Sequence, residues 1–269
     1  MTMTNYTFTF NGLTIGTGTS YLVSNVEGLG GTAPLRIQDD NRGYLDGSYS
    51  GRDFYDERNV YIDITVLGSS STTAQANYKA LQTAFAPQPL AYYTDPTGYT
   101  PSANQVQPFS FRLNGNTGDM VMYGRSRGLS TPLDADFAYG YIKTRIMMTF
   151  PDPRYYTYTG ELDTGTSVSV WNEGWAISCP TISLVTASES GNITDGLTTM
   201  DFANMPLGSA LDIDLLSRVI YLDGEPTRNI MTAASSGWLQ VNPNVSSTSP
   251  ATWTSTIGSM TVVFRNAYV

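Results

Sequence analysis

The chain has 269 residues, 41% hydrophobic and only 14% charged, with a formal charge of −9 and no histidine. That length allows a sizeable core and leads us to expect two domains, while the missing imidazole excludes Ser-His-Asp and Cys-His chemistry and the commonest metal ligand. The acidic balance, with Arg125 and Arg127 as the densest basic cluster, argues against nucleic acid, whose binding rests on phosphate neutralisation, and against an anionic membrane surface.

The first ten residues, "MTMTNYTFTF", have no basic start and no apolar run of signal length, and no window reaches membrane-spanning length. Synthesis and folding in a cytoplasm are expected, and the Asn-x-Ser/Thr sequences at Asn5, Asn192 and Asn244 then carry no glycosylation meaning. Residues 5–16 alternate, with Tyr6, Phe8 and Phe10 on one face, and Asn11-Gly12 supplies a tight hairpin turn. A second strand is predicted over 20–26. Residues 27–57 are glycine-rich and dotted with both charges, which predicts an extended arm or long hairpin rather than a core element. Residues 59–67 predict a strand with Val60, Ile62, Ile64 and Val66 on one side. One helix follows, with Ala74, Tyr78, Leu81 and Phe85 as its apolar stripe and Pro87 as its stop. It must pack on the neighbouring strands, because a helix of about thirteen residues is marginal alone.

Strands are predicted again over 106–113, 119–127 and 138–150, ending at "PDPRYY". The two prolines around Asp152 force extended backbone and stop pairing, so the domain boundary is placed there: 1–152 and 153–269. The remainder reads as short strands and turns, at 166–171, 174–186, 197–204, 208–215, 218–223, 227–231, 237–241 and 257–268, the pattern of a β-sandwich. Cys179, the only cysteine, lies in the apolar run "WAISCPTISL" and is expected to pack as a small buried hydrophobe. The segment 242–256, "NPNVSSTSPATWTST", reads as too polar for a core element.

Several patterns invite a chemical reading. In "LDIDLLSRVIYLDGEP", 211–226, Leu211, Ile213 and Leu215 fall on one face of a strand, and Asp212 and Asp214 on the other. A hairpin with solvated carboxylates accounts for every residue. A calcium loop does not, since Ser217 stands where glycine is wanted and Asp223 where glutamate is. Gly28-x-Gly30-x-x-Ala33 matches a dinucleotide fingerprint, but Pro34 and "LRI" follow in place of the helix that would meet a pyrophosphate. Asp39, Asp40, Asp134, Asp136, Asp212 and Asp214 could supply the carboxylate pair of a glycoside hydrolase; none stands in a context that would raise its pKa. No catalytic, cofactor-binding or metal residue is assigned, and no cofactor is expected. Tyr139, Tyr141, Tyr155, Tyr156 and Tyr158, with Trp171, Trp175, Trp238 and Trp253, fit either a sugar-stacking face or, in the reading we favour, a filled sandwich and a protein interface.

The order of these features resembles the distal tail protein (Dit) family of long, non-contractile-tailed bacteriophages, also called minor tail proteins. The resemblance is carried by "FTFNGLTIG", by "RGYLDGSYSGRDFYDERNVYIDITVLGSS" with Gly43, Gly47, Gly51 and Arg58, and by the helix "AQANYKALQTAF". It continues through "FPDPRYY" and the C-terminal succession "NEGWAISCPTISL", "LDIDLLSRVIYLDGEP", "SGWLQVNP" and "GSMTVVFRNAYV". It implies a mainly β chain: an N-terminal ring-forming domain with one α-helix and a long hairpin arm, and a C-terminal galectin-like β-sandwich. It further implies a non-enzymatic virion protein of the tail tip or baseplate, a homo-hexameric ring joining the tail tube protein to the tail-tip hub or adhesion apparatus. Two other classes stay open. A carbohydrate-binding module recognising host surface glycans explains the tryptophans but not residues 1–150. A tail-associated hydrolase explains the acidity but lacks a defined site.

Overall fold

The computed structural model describes residues 6–41, 46, 48–51, 53–87, 106–113, 118–227, 229–243 and 250–269. The chain is mainly β and divides into two compact units. Among the described residues the first comprises 6–87, 106–155 and Val269, and the second Tyr156–Tyr268.

The first unit runs β1 (Thr7–Phe10), β2 (Leu13–Gly16), β3 (Tyr21–Glu27), β4 (Leu35–Arg36), β5 (Asp40–Asn41), β6 (Ser48–Tyr49), β7 (Phe54–Tyr55), β8 (Arg58–Val66), α1 (Ser71–Ala84), β9 (Gln107–Arg112), β10 (Met120–Ser130), α2 (Ala135–Ala138) and β11 (Ile142–Phe150). Its sheet has the order β2-β1-β9-β10-β11-β8-β3, antiparallel at every step. Asn11 and Gly12 both take positive φ, 47° and 78°, which matches the primed turn expected between β1 and β2. The alternation of β8 buries Val60, Ile62, Ile64 and Val66 completely. Ser70 caps α1 by accepting from the Thr73 N–H, and Ala74, Leu81 and Phe85 are buried on the helix stripe. Phe85 stacks on Phe10 at 5.1 Å, and Phe109 meets both Phe8 and Phe150. The core is thus an aromatic layer between helix and sheet.

β12 (Tyr155–Thr157) leads into the second unit: β13 (Glu161–Gly165), β14 (Ser167–Val170), β15 (Thr181–Val185), β16 (Gly191–Thr194), β17 (Thr199–Phe202), β18 (Ala210–Asp214), β19 (Val219–Leu222), β20 (Glu225–Pro226), β21 (Ala251–Ser255), β22 (Met260–Phe264) and β23 (Ala267–Tyr268). One sheet has the order β13-β22-β15-β18-β19-β20, the other β14-β21-β16-β17. Inward residues of both, among them Val168, Ile193, Trp253, Ile182, Leu211 and Val262, form one core, so the unit is a β-sandwich.

Several expectations are corrected. A second, four-residue helix, α2, precedes β11, so the predicted strand at 138–150 starts only at Ile142. Asp134 accepts from the Phe137 N–H at 3.1 Å and caps this short turn of helix. The strand expected at 174–186 starts at Thr181. Among the described residues, segments 227–231 and 237–241 form no strand; each has an isolated bridge, at Met231 and Val241. The polar segment 242–256 contains a core element after all: β21 pairs with β14 and β16, and Trp253 at its centre is 0% exposed. Its Thr252 and Thr254 face outward while Trp253 and Ser255 face inward, so a single indole fills the space that several small apolar residues would otherwise take.

Candidate assembly surface

Among its described residues, the arm expected at 27–57 is a hairpin with two short pairings. Leu35 and Arg36 pair with Tyr55 and Phe54, and Asp40 and Asn41 with Tyr49 and Ser48. Gly51 lies so close to Gln38 that a Cβ would overlap the Gln38 carbonyl, and its N–H donates to Asp39 Oδ1 at 3.1 Å. The Arg36 guanidinium lies 5.5 Å from the Phe54 ring centre, a cation–π contact within the arm. Leu35, Ile37, Tyr49, Phe54 and Tyr55 are all exposed, Ile37 by 64%. Asp40, Asp46 and Asp53 are exposed beside them. Tyr44, Leu45, Arg42 and Arg52 lie outside the described residues.

Arg58, which follows the arm, is not a surface charge: it is only 1% exposed. Its Nη1 donates to the carbonyls of Gly28, Leu29 and Gly31 at 3.0, 3.1 and 3.2 Å. These carbonyls lie within the glycine-rich segment 28–33, which therefore turns carbonyls toward a cation rather than N–H groups toward a phosphate. Gly28 has φ +83°, and a Cβ there would meet the Asn59 carbonyl.

Beside the arm, the outward face of β3, β8 and β11 carries an ion-pair cluster. Arg145 grips Asp63 with two bonds of 2.6 and 2.7 Å and lies 3.4 Å from Glu27. The Arg145 hydrogen bonds hold the Asp63 carboxyl below the usual carboxylate range. Exposed Leu22 and Met147 lie on the same strands.

The carboxylates weighed from sequence do not converge. Asp136 pairs with Lys143 at 2.8 Å, Asp134 and Asp39 hold local turns, and Asp40 and Asp212 are exposed. Asp214, expected to be solvated, is instead a turn cap: it accepts from the Leu216 and Ser217 N–H groups at 2.9 and 3.1 Å and from the Ser217 hydroxyl at 2.5 Å. Of the tryptophans, Trp253 is buried and Trp171 and Trp238 pack partly against the sandwich core, as does half-buried Cys179. Trp175 is 57% exposed and meets Tyr268 edge-to-face at 4.7 Å.

No protein-family model and no curated protein sequence matches the chain. Solved structures do, and they show its mainly β architecture to be the fold of phage Dit and baseplate proteins. The chain is similar to the SPP1 Dit protein (gp 19.1), described as a paradigm of the hub adsorption apparatus in phages infecting Gram-positive bacteria, with TM-score 0.65 and 17% identity over 98% of this chain and 99% of that one. It is also similar to a chain of the phage P2 baseplate in its activated conformation with Ca, at TM-score 0.52 and 7% identity over 93% and 92%. The same baseplate with Sr gives TM-score 0.51. The Dit resemblance read from the sequence holds at the level of fold.

Proposed function

We propose that this chain is a structural component of a phage tail tip, a distal tail protein that forms a hexameric ring between the tail tube protein and the tail-tip hub or adhesion apparatus of the virion. In this reading the first unit closes the ring, the second is a galectin-like sandwich projecting from it, and the protein is not an enzyme. The observation that carries the proposal is the arm. It exposes five large apolar side chains on a hairpin with very few paired residues, and such a segment needs a partner surface to cover it. Arg58 fixes its base to the body of its own unit, which leaves the far end to reach another copy. A contact of this head-to-tail kind either closes into a ring or grows as a filament, and in this reading it closes.

The test is native mass spectrometry and sedimentation of the intact protein and of a variant lacking 36–56. The deletion leaves Gly28, Leu29, Gly31 and Arg58 in place. A sixfold species for the intact chain and a folded monomer for the deletion are expected. A deletion variant that still assembles sixfold would remove the arm from the mechanism.

A further inference from the structure

We propose that the second unit carries a binding cleft for a neutral pyranose unit of a glycan, at the end of its four-stranded sheet. β14 ends at Val170, which pairs with Ala251 at the start of β21, and Trp171 follows directly. There the chain opens a cleft of about 400 Å³ lined by Trp171, Asp195, Leu197, Gln240 and Asn242. The size lies in the range of small-ligand sites.

Each lining group is held by identifiable backbone. Val241 is buried and exchanges two backbone hydrogen bonds with Ser178, at 2.9 and 2.8 Å. Extended chain alternates its side chains, so Gln240 and Asn242 both turn outward, and both are exposed. Beneath them, buried Asn172 donates to the Val241 and Ala176 carbonyls and accepts from the Gly174 and Ala267 N–H groups. With those four bonds it fixes the floor rather than serving a ligand. On the other wall, Asp195 Oδ1 accepts from the Leu197 and Thr198 N–H groups at 2.8 and 2.6 Å. That turn holds Leu197 out, 90% exposed. Trp171 packs against the sandwich core on one side and lines the cleft on the other.

This set of groups selects a class of ligand. An indole and a leucine offer apolar surface for the C–H face of a sugar ring. Two primary amides both donate and accept, as sugar hydroxyls do, and the carboxylate adds a strong acceptor. Among the described residues no lysine or arginine lines the cleft, and Asp195 opposes an anion, so phosphate-bearing polymers fit poorly. A purely apolar ligand would bury the two amides without partners. Residues 244–249 lie outside the described residues, and the site is defined without them. The proposal rests on the second unit alone and stands whether or not a ring forms.

The test is saturation-transfer NMR and titration of the intact protein with glucose, galactose, N-acetylglucosamine and their short oligomers, with poly(glycerol phosphate) as the anionic probe. At least one neutral probe should bind. Gln240→Ala with Asn242→Ala should weaken it by about tenfold or more, the equivalent of 1.4 kcal/mol, with an unchanged melting temperature. Trp171→Ala should abolish binding, and if that variant unfolds the double amide variant decides. Trp175→Ala, outside the cleft, should bind as the wild type does. Binding of no neutral probe, preference for the anionic polymer, an unaffected double variant or loss of binding with Trp175→Ala would each overturn the proposal.

Discussion

Arg58 Nε donates to the Pro153 carbonyl at 3.1 Å, while Nη1 of the same guanidinium holds the carbonyls of Gly28, Leu29 and Gly31. One planar group thus ties the first leg of the arm to the proline-rich segment after β11. Burial pushes the Arg58 pKa down, and the Tyr155 hydroxyl opposes that shift; arginine stays charged throughout. Hydrogen bonds to a charged group contribute about 1.5–3 kcal/mol each and are not additive. Arg58→Ala is expected to cost on the order of 3 kcal/mol in chemical denaturation and to make 28–36 the first site of limited proteolysis. Arg58→Lys should recover only part of this, because an ammonium cannot present the planar fork. Unchanged stability and cleavage in both variants would show that the anchor is dispensable.

Trp253→Ala removes the largest buried side chain of the sandwich. The cost should be about 3–5 kcal/mol, read as a lowered unfolding midpoint. A loss below about 1 kcal/mol would mean that β21 is peripheral to the fold.

Asp212 and Asp214 should part company. Asp212→Asn, on an exposed position, should stay within about 0.5 kcal/mol of the wild type. Asp214→Ala removes the acceptor for three bonds in the 215–218 turn and should cost about 1 kcal/mol, like the loss of a cap. Equal effects from the two substitutions would contradict the turn-capping role.

The Asp63–Arg145 pair makes a pH prediction. The folded-state pKa of Asp63 is depressed, chiefly by the Arg145 hydrogen bonds. Its contribution to stability is therefore present above the unfolded carboxylate pKa and lost as pH falls through the lower folded value. Carboxyl-carbon NMR should show Asp63 titrating below the ordinary aspartate range, and Arg145→Ala should return it upward and flatten the acid limb of the stability curve. An Asp63 titration that does not move on Arg145→Ala would refute the coupling.

How legible each element was depended on how much of its identity is local. β8, the β1–β2 hairpin and α1 announce themselves through periodicity that a short window contains. β21 does not: "ATWTS" has one large apolar residue among threonines, and only the β-branched alternation hints at a strand. β16 offers the single inward Ile193, and β13 exposes most of its residues. The role of Arg58 was hidden because its acceptors lie on two separate segments, and carbonyls carry no side-chain signature. The cleft residues were missed for the same reason. Trp171 stood out, but Asp195, Gln240 and Asn242 are dispersed in the chain and meet only through the sandwich.

The two ends of the first unit's sheet, β2 and β3, are joined by residues 17–20 and lie beside each other. β2 has only four residues, and β3 is interrupted by a bulge between Val23 and Asn25, where the Ser24 hydroxyl donates to the Asp63 carbonyl at 3.1 Å. Short, kinked edges with polar side chains are poor templates for another strand. Strand addition, the ordinary hazard of a chain this rich in β-structure, is thereby disfavoured at these two margins of the first unit's sheet.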